Sequence, residues 1–129
     1  MQEPAAVSDP RATVDAFRQA WKRADLDALY ALMTDDIFYH NIPRAPIVGL
    51  GAVKRYVDGY IERNGALITV DWDVKNIAAN GNTVFVERIS RLEWANGRRT
   101  ECPIVGVFDV RDGKIAAWRD YFDKATFDA

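Results

Sequence analysis

Near the C-terminus, Trp118-Arg119-Asp120-Tyr121-Phe122-Asp123 sets the carboxylate of Asp120 inside a run of aromatic residues. Such a carboxylate needs a partner, because an unpaired buried charge is costly. Arg88, in the apolar segment Val84–Ser90, can be that partner, and Tyr39 and Asn41 lie on a third segment. Side chains alternate across a strand, so Tyr39 and Asn41 share a face and His40 points the other way. By the same parity Val84, Val86, Arg88 and Ser90 share a face, as do Cys102 with Ile104 and Trp118 with Asp120. If these faces converge, apolar walls from Trp21, Val86, Cys102, Ile104, Trp118 and Phe122 enclose a carboxylate, a guanidinium, a phenol, an amide and a hydroxyl. Phe127 reads as core first and lining second. An apolar pocket with a few convergent polar groups is the usual form of a small-molecule site. The arginine would keep Asp120 ionised and oriented. Tyr39 and Asn41 would fix a water, and a carboxylate holding a water in a dry pocket is a general base.

The elements that must position these residues follow from periodicity and turn signals. Residues 1–8 read as a flexible N-terminal tail. Asp9-Pro10 then reads as an N-cap with proline at the first helical position. Val14, Phe17 and Trp21 recur at helical spacing to about Ala24. Asp25 opens a second helix carrying Leu26, Leu29, Tyr30 and Met33, ended by Thr34-Asp35-Asp36. Ile37–Asn41 reads as a short strand, and Pro43, Pro46 and Gly49 mark an irregular loop. A third helix covers Gly51–Asn64. Its charges Lys54, Arg55, Asp58, Glu62 and Arg63 read as a solvated face, and Tyr56 and Tyr60 lie on its apolar side. Strands follow over Ala66–Ala78, Thr83–Trp94, Arg99–Val110 and Lys114–Phe122, with tight turns at Asn80-Gly81-Asn82, Asn96-Gly97 and Asp112-Gly113. This order predicts an α+β fold, with a curved antiparallel or mixed sheet and three N-terminal helices on its concave face around a conical pocket. One domain is expected over residues 9–129.

Bulk properties narrow the chemistry. The chain has 129 residues and a formal net charge of −2. Without a strongly basic stretch, nucleic-acid binding has little electrostatic support. No apolar run nears the roughly 20 residues that cross a bilayer. The N-terminus carries Glu3 and Asp9 without an apolar h-region, so no signal peptide is expected. One cysteine, Cys102, allows no internal disulfide, and a cytoplasmic location fits. One histidine and no Cys/His cluster argue against a structural zinc site. Phosphate loops, nucleophile elbows and dinucleotide fingerprints are missing. Cofactor-free acid–base work, or simple binding, is what remains.

At this point the chain resembles a known family. Phe38-Tyr39-His40-Asn41-Ile42-Pro43, Val86-Glu87-Arg88, Gly106-Val107-Phe108, Gly113-Lys114-Ile115 and the Trp118–Asp123 string, in this order and spacing, are similar to the limonene-1,2-epoxide hydrolases. The likeness runs from the first helix to Phe127. It implies a nuclear transport factor 2-like cone, often dimeric, and cofactor-free epoxide hydration by direct attack of water. Carried over, Asp120 takes the proton of a water held by Tyr39 and Asn41. Arg88 bridges that base to a second carboxylate, the acid that protonates the epoxide oxygen.

The acid is expected two residues after the arginine, and this chain has Ser90 there. A serine hydroxyl donates a hydrogen bond but is a poor proton donor at neutral pH, and general acid help is worth about 10²–10⁴ in rate. Glu87 and Glu101 face away by strand parity. Two other readings therefore stay open. One is proton transfer on a bound substrate by Asp120, as in the related polyketide cyclases and steroid isomerases, or, closer to hydration, epoxide opening by an internal hydroxyl of the substrate. The other is a cavity that binds a ligand without turnover. Taken alone, Asp120 with Arg88 also reads as a structural ion pair, His40 as a surface or interface residue, Ser90 as a polar pocket group, and Cys102 as a small apolar wall.

Overall fold

The computed structural model describes residues 9–128, with side chains through Thr126. The tail at 1–8 and the side chain of Phe127 lie outside the described residues. In chain order the elements are α1 (Pro10–Lys22), α2 (Leu26–Ala31), β1 (Met33–Asn41), β2 (Ile47–Val48), α3 (Leu50–Asn64), β3 (Leu67–Asn80), β4 (Thr83–Trp94), β5 (Arg99–Arg111), β6 (Lys114–Phe122) and α4 (Ala125–Asp128).

Local chemistry sets the helix starts. The Asp9 carboxylate accepts from the Arg11 amide at 3.0 Å, and Pro10 needs no donor partner there. Asp25 caps α2 by accepting from the Ala28 amide at 3.1 Å. The reading of α2 as far as Met33 is corrected, because the helix ends at Ala31 and Met33–Asp36 open β1. Tertiary pairing wins over helical spacing at this point. Met33 is buried opposite Ile115, and the Ile115 amide donates to the Leu32 carbonyl at 2.7 Å. The loop after β1 also holds a short strand, with Val48 paired to Phe38 and Ile47 to Tyr39. The strands Thr83–Trp94 and Lys114–Phe122 fall where the sequence puts them, and α4 carries no signal that was read.

Six strands form one curved, mixed sheet in the order β2-β1-β6-β5-β4-β3. β1 runs parallel to β6, and the other neighbours are antiparallel. At Asp112-Gly113 both residues have positive φ, 52° and 75°, the conformation a two-residue hairpin of matching twist requires. α1 lies against β3, β4, β5 and β6, α3 against β1 and β2, and α2 against α1 and β1. Phe17 of α1 is the hub of the core and meets Trp21, Trp72, Phe108 and Trp118 edge-on, with centroids 5.0–6.1 Å apart. A buried aromatic in such a cluster stabilises by about 3–5 kcal/mol against truncation to alanine.

Candidate active site

Arg88 on β4 and Asp120 on β6 are separated by β5, so their backbones stand roughly 10 Å apart. Register sets Gly106 of β5 between them, opposite Val86 on one side and Asp120 on the other. The arginine spans the gap over that glycine, and its Nη2 lies 3.3 Å from Oδ2 and 3.4 Å from Oδ1 of Asp120. The guanidinium also lies over the Trp72 ring, 4.2 Å from its centroid. Both partners are nearly closed off, at 3% and 4% exposure. The Trp118 indole N–H donates to Asp120 Oδ1 at 2.9 Å. Burial raises the Asp120 carboxyl above its ordinary 3.8, and the charge of Arg88 and the hydrogen bonds from Trp118 and Arg88 offset this in part. A carboxylate raised but still held by a cation is a stronger base than a free one. Arg88 Nε and Nη1 have no hydrogen-bond partner among the described residues, and Ser90 follows on the same face.

β1 delivers the phenol and the amide. Its parallel register puts Asn41 beside Asp120 and Tyr39 beside Trp118. Tyr39 and Asn41 hydrogen-bond each other, with Tyr39 Oη 3.2 Å from Asn41 Oδ1 and 3.0 Å from Nδ2. The Tyr39 ring stacks on Trp118 at 4.1 Å and 19°. Burial, followed by the nearby Asp120, drives the Tyr39 phenol well above 10, so it stays protonated.

A second polar group was not foreseen from the sequence. Tyr56 and Tyr60, one turn apart on α3, point into the same space, and Arg44 reaches in from the loop after β1. Arg44 Nη1 lies 3.1 Å from Tyr60 Oη and 3.4 Å from Tyr56 Oη. Asn41 Nδ2 lies 3.4 Å from Tyr56 Oη, which ties this group to the first. The i, i+4 tyrosines were a usable signal, whereas nothing in the loop sequence marks Arg44.

Together these residues line one cavity of about 340 Å³ between the sheet and the helices. Asp120, Arg88, Tyr39, Asn41 and Ser90 all open onto it, and Trp21, Ile104, Trp118 and Phe122 form part of its wall. α3 adds Val53 and Val57, and β3 and β4 add Leu67, Val70, Trp72, Leu92 and Trp94, none of which was assigned to the wall from sequence. Two expected wall residues do not belong there. Val86 has the right face but lies where α1 covers β4, and is packed in the core. Cys102 lies in the stretch of β5 on which α4 packs, away from the cavity wall. Its thiol is raised above 9 by burial, against a hydrogen bond from Thr126. Parity fixes the face of a residue and leaves open which element covers it. Among the described residues, no group of three His, Cys, Asp or Glu side chains comes together, and no helix is long and apolar enough to cross a membrane.

Comparison with known proteins bears on this arrangement. The family model of the limonene-1,2-epoxide hydrolase catalytic domain matches residues 8–128. The chain is 33% identical over 110 residues to epoxide hydrolase EphG of Mycobacterium tuberculosis, covering 85% of this chain and 70% of that protein. Among solved structures, an M. tuberculosis LEH-like epoxide hydrolase superposes with a TM-score of 0.75 at 31% identity, over 91% of this chain and 84% of the other. An NTF2-like protein from Burkholderia pseudomallei gives a TM-score of 0.77 over 94% and 95% of the two chains, at an identity of 20% that speaks to the fold alone.

Proposed function

The chain belongs to the limonene-1,2-epoxide hydrolase family, and from that membership we propose that it adds water to a small, largely apolar epoxide to give a vicinal diol. The reaction needs no cofactor and passes through no covalent enzyme intermediate. Asp120 is the base, Tyr39 and Asn41 hold the attacking water, and Arg88 keeps Asp120 ionised. As the water attacks one epoxide carbon its proton moves to Asp120, and the carbon–oxygen bond breaks with its electron pair on oxygen. Ser90 stands where the family pattern has its acid, and contributes at most a hydrogen bond.

The observation that carries this reading is the buried Asp120, held by Arg88 and Trp118 beside the Tyr39–Asn41 pair. A phenol–amide pair next to this carboxylate in a mostly apolar cavity is what holding and activating a water requires. The enzyme is expected to act as a homodimer through the outer face of the sheet, where Phe85, Val105 and Tyr121 lie exposed on adjacent strands.

The test is diol formation from limonene oxide and cyclohexene oxide in ¹⁸O-labelled water under single turnover. Label in the diol, lost in Asp120→Asn, supports the reading. Label that enters only on later turnovers means a covalent ester and rules out direct attack. Position 90 also favours a second reading, in which an internal hydroxyl of the substrate replaces water and a cyclic ether forms. Unlabelled cyclic product, with turnover intact in Asn41→Ala, would favour it.

A further inference from the structure

Water attack leaves an alkoxide in need of a proton, and among the described residues no carboxylic acid other than Asp120 lines the cavity. We propose that Tyr60 is the acid of this site, and that its hydroxyl hydrogen-bonds the epoxide oxygen and gives up its proton as the ring opens. This rests on the hydrolase reading above and supplies the step that Ser90 cannot.

The hydrogen bonds around the two tyrosines fix the direction of each proton. Tyr56 Oη already faces two donors, Asn41 Nδ2 and Arg44 Nη1, each at 3.4 Å. Its own O–H is thereby left to donate, and it donates to Tyr60 Oη at 3.4 Å. Tyr60 Oη also accepts from Arg44 at 3.1 Å. A phenol oxygen with both acceptor sites filled still has one proton to give, and no acceptor for it occurs in the hydrogen bonds of the described residues. The two donors that fill the oxygen are also those that stabilise a phenolate once the proton has left. The ring is also packed. It stacks on Trp94 at 5.8 Å and 15°, and Arg63 covers it at 4.8 Å.

The position suits the chemistry. Tyr60 stands two hydrogen bonds from Asn41, which is paired in register with Asp120. Tyr60 and the Asp120–Tyr39–Asn41 group line the same cavity, so one bound substrate can touch both. The charged and titratable groups around the Tyr60 hydroxyl are Arg44 from the loop and Tyr56 and Arg63 from α3, and the rest of the cavity wall adds Tyr39, Arg88, Arg98 and Asp120. Burial opposes its ionisation, but the hydrogen bonds from Tyr56 and Arg44 and the Arg44 charge outweigh it and bring Tyr60 below 10. In the full step, water loses one proton to Asp120, its oxygen bonds to carbon, and the released oxygen takes the proton of Tyr60. The proton on Asp120 then leaves to solvent and Tyr60 recovers one, so water and epoxide become diol with nothing left over.

The experiment compares the chain with Tyr60→Phe, with Ser90→Asp and with the two combined, for kcat across neutral and alkaline pH on an epoxide the chain opens. Tyr60→Phe is expected to lose about 10²-fold in kcat. Ser90→Asp, which puts a carboxylic acid beside Arg88, is expected to recover most of it and to raise kcat far more in Tyr60→Phe than in the unaltered chain, whereas with a merely structural tyrosine the two gains would be equal. Activity of the unaltered chain should fall at a pH below 10 as Tyr60 ionises, and that limb should vanish in both variants that lack Tyr60. Phenol absorbance on titration gives a readout independent of turnover, in which one early-ionising tyrosine is lost in Tyr60→Phe. Unchanged kcat in Tyr60→Phe overturns the proposal, as does a loss that Ser90→Asp fails to restore. If the unaltered chain opens no epoxide, the hydrolase reading falls first, and that outcome is distinct from both.

Discussion

The guanidinium of Arg88 lies over the bare backbone of Gly106, so close that a Cβ there would stand 2.6 Å from Nη1. The same methyl would meet Phe108 Cε2 at 2.9 Å and Asp120 Oδ1 at 3.0 Å. An arginine on β4 can reach a carboxylate on β6 only because the strand between them carries no side chain at that level. Gly106→Ala is therefore expected to push Arg88 and Asp120 apart. Phe108 is fully buried and cannot yield freely, so overpacking should also cost about 1–3 kcal/mol. The check is kcat beside urea unfolding. A loss of at least about 10-fold in kcat in protein that remains folded is expected, given that roughly 1.4 kcal/mol is tenfold. Unchanged turnover would mean that the pair tolerates being spread and that its tight packing is not what activates the base.

The parts of this site legible in the sequence are those that follow from period two. Tyr39 with Asn41, Arg88 with Ser90 and Trp118 with Asp120 each share a face because strands alternate, and neighbouring strands bring those faces together. Val86 and Cys102 show the limit of that rule. Their parity is right, but α1 and α4 cover them, and which helix covers which level of a sheet is a tertiary matter. Met33 shows a second limit, since helical spacing and strand pairing compete for it and only the partner Ile115 decides. Gly106 carries no chemistry by itself and becomes informative once Arg88 and Asp120 are known to meet above it. Arg44 is invisible for a different reason. A loop places it, and loops have no period.

Stability should depend on pH through Asp120. Burial raises this carboxyl in the folded state above its unfolded value near 3.8. Its neutral form therefore favours folding. That contribution is complete below 3.8 and is lost as pH rises through the folded value. Asp36, Asp73 and Asp109 act in the opposite sense and in a lower window. Hydrogen bonds from Arg111, Lys75 and Arg119 lower them, so their contribution is lost as pH falls below 3.8. Between mildly acidic and neutral pH, Tm of the unaltered chain is expected to decline by more than Tm of Asp120→Asn. The slope is the readout, because the amide also removes the partner of Arg88 at every pH. Parallel slopes would show that Asp120 ionises as easily folded as unfolded.

The cavity wall is lopsided in charge. Among the described residues, Arg44, Arg63, Arg88 and Arg98 line it beside one carboxylate, Asp120, in a chain of formal net charge −2. Arg63 is exposed, so an anionic end of a substrate near it gains a screened attraction of about 0.5–1 kcal/mol. An epoxide bearing a carboxylate should accordingly show a KM several-fold below that of its methyl ester, with similar kcat. Added salt should narrow the gap, and Arg63→Gln should halve it or better. Equal KM values for acid and ester would show that the arginines serve packing alone.

Removing Arg88 separates its two conceivable roles. Its charge lowers the Asp120 carboxyl, which burial raises, so in Arg88→Met that carboxyl must rise further. Methionine fills much of the volume over Trp72 without a charge. Breaking a buried pair usually costs about 3–5 kcal/mol. Here the cost should be smaller below the new Asp120 value, because a protonated carboxyl needs no counterion. At a given pH the base is then protonated more of the time than in the unaltered chain, and kcat should drop. It should climb again as pH rises, provided the measurement stays below the pH at which Tyr60 ionises. If the role of Arg88 were to touch the epoxide oxygen, raising the pH would restore nothing. The pH–rate profile of Arg88→Met, read beside that of the unaltered chain, decides between the two, and an acid limb shifted upward with recovered turnover is the expected result.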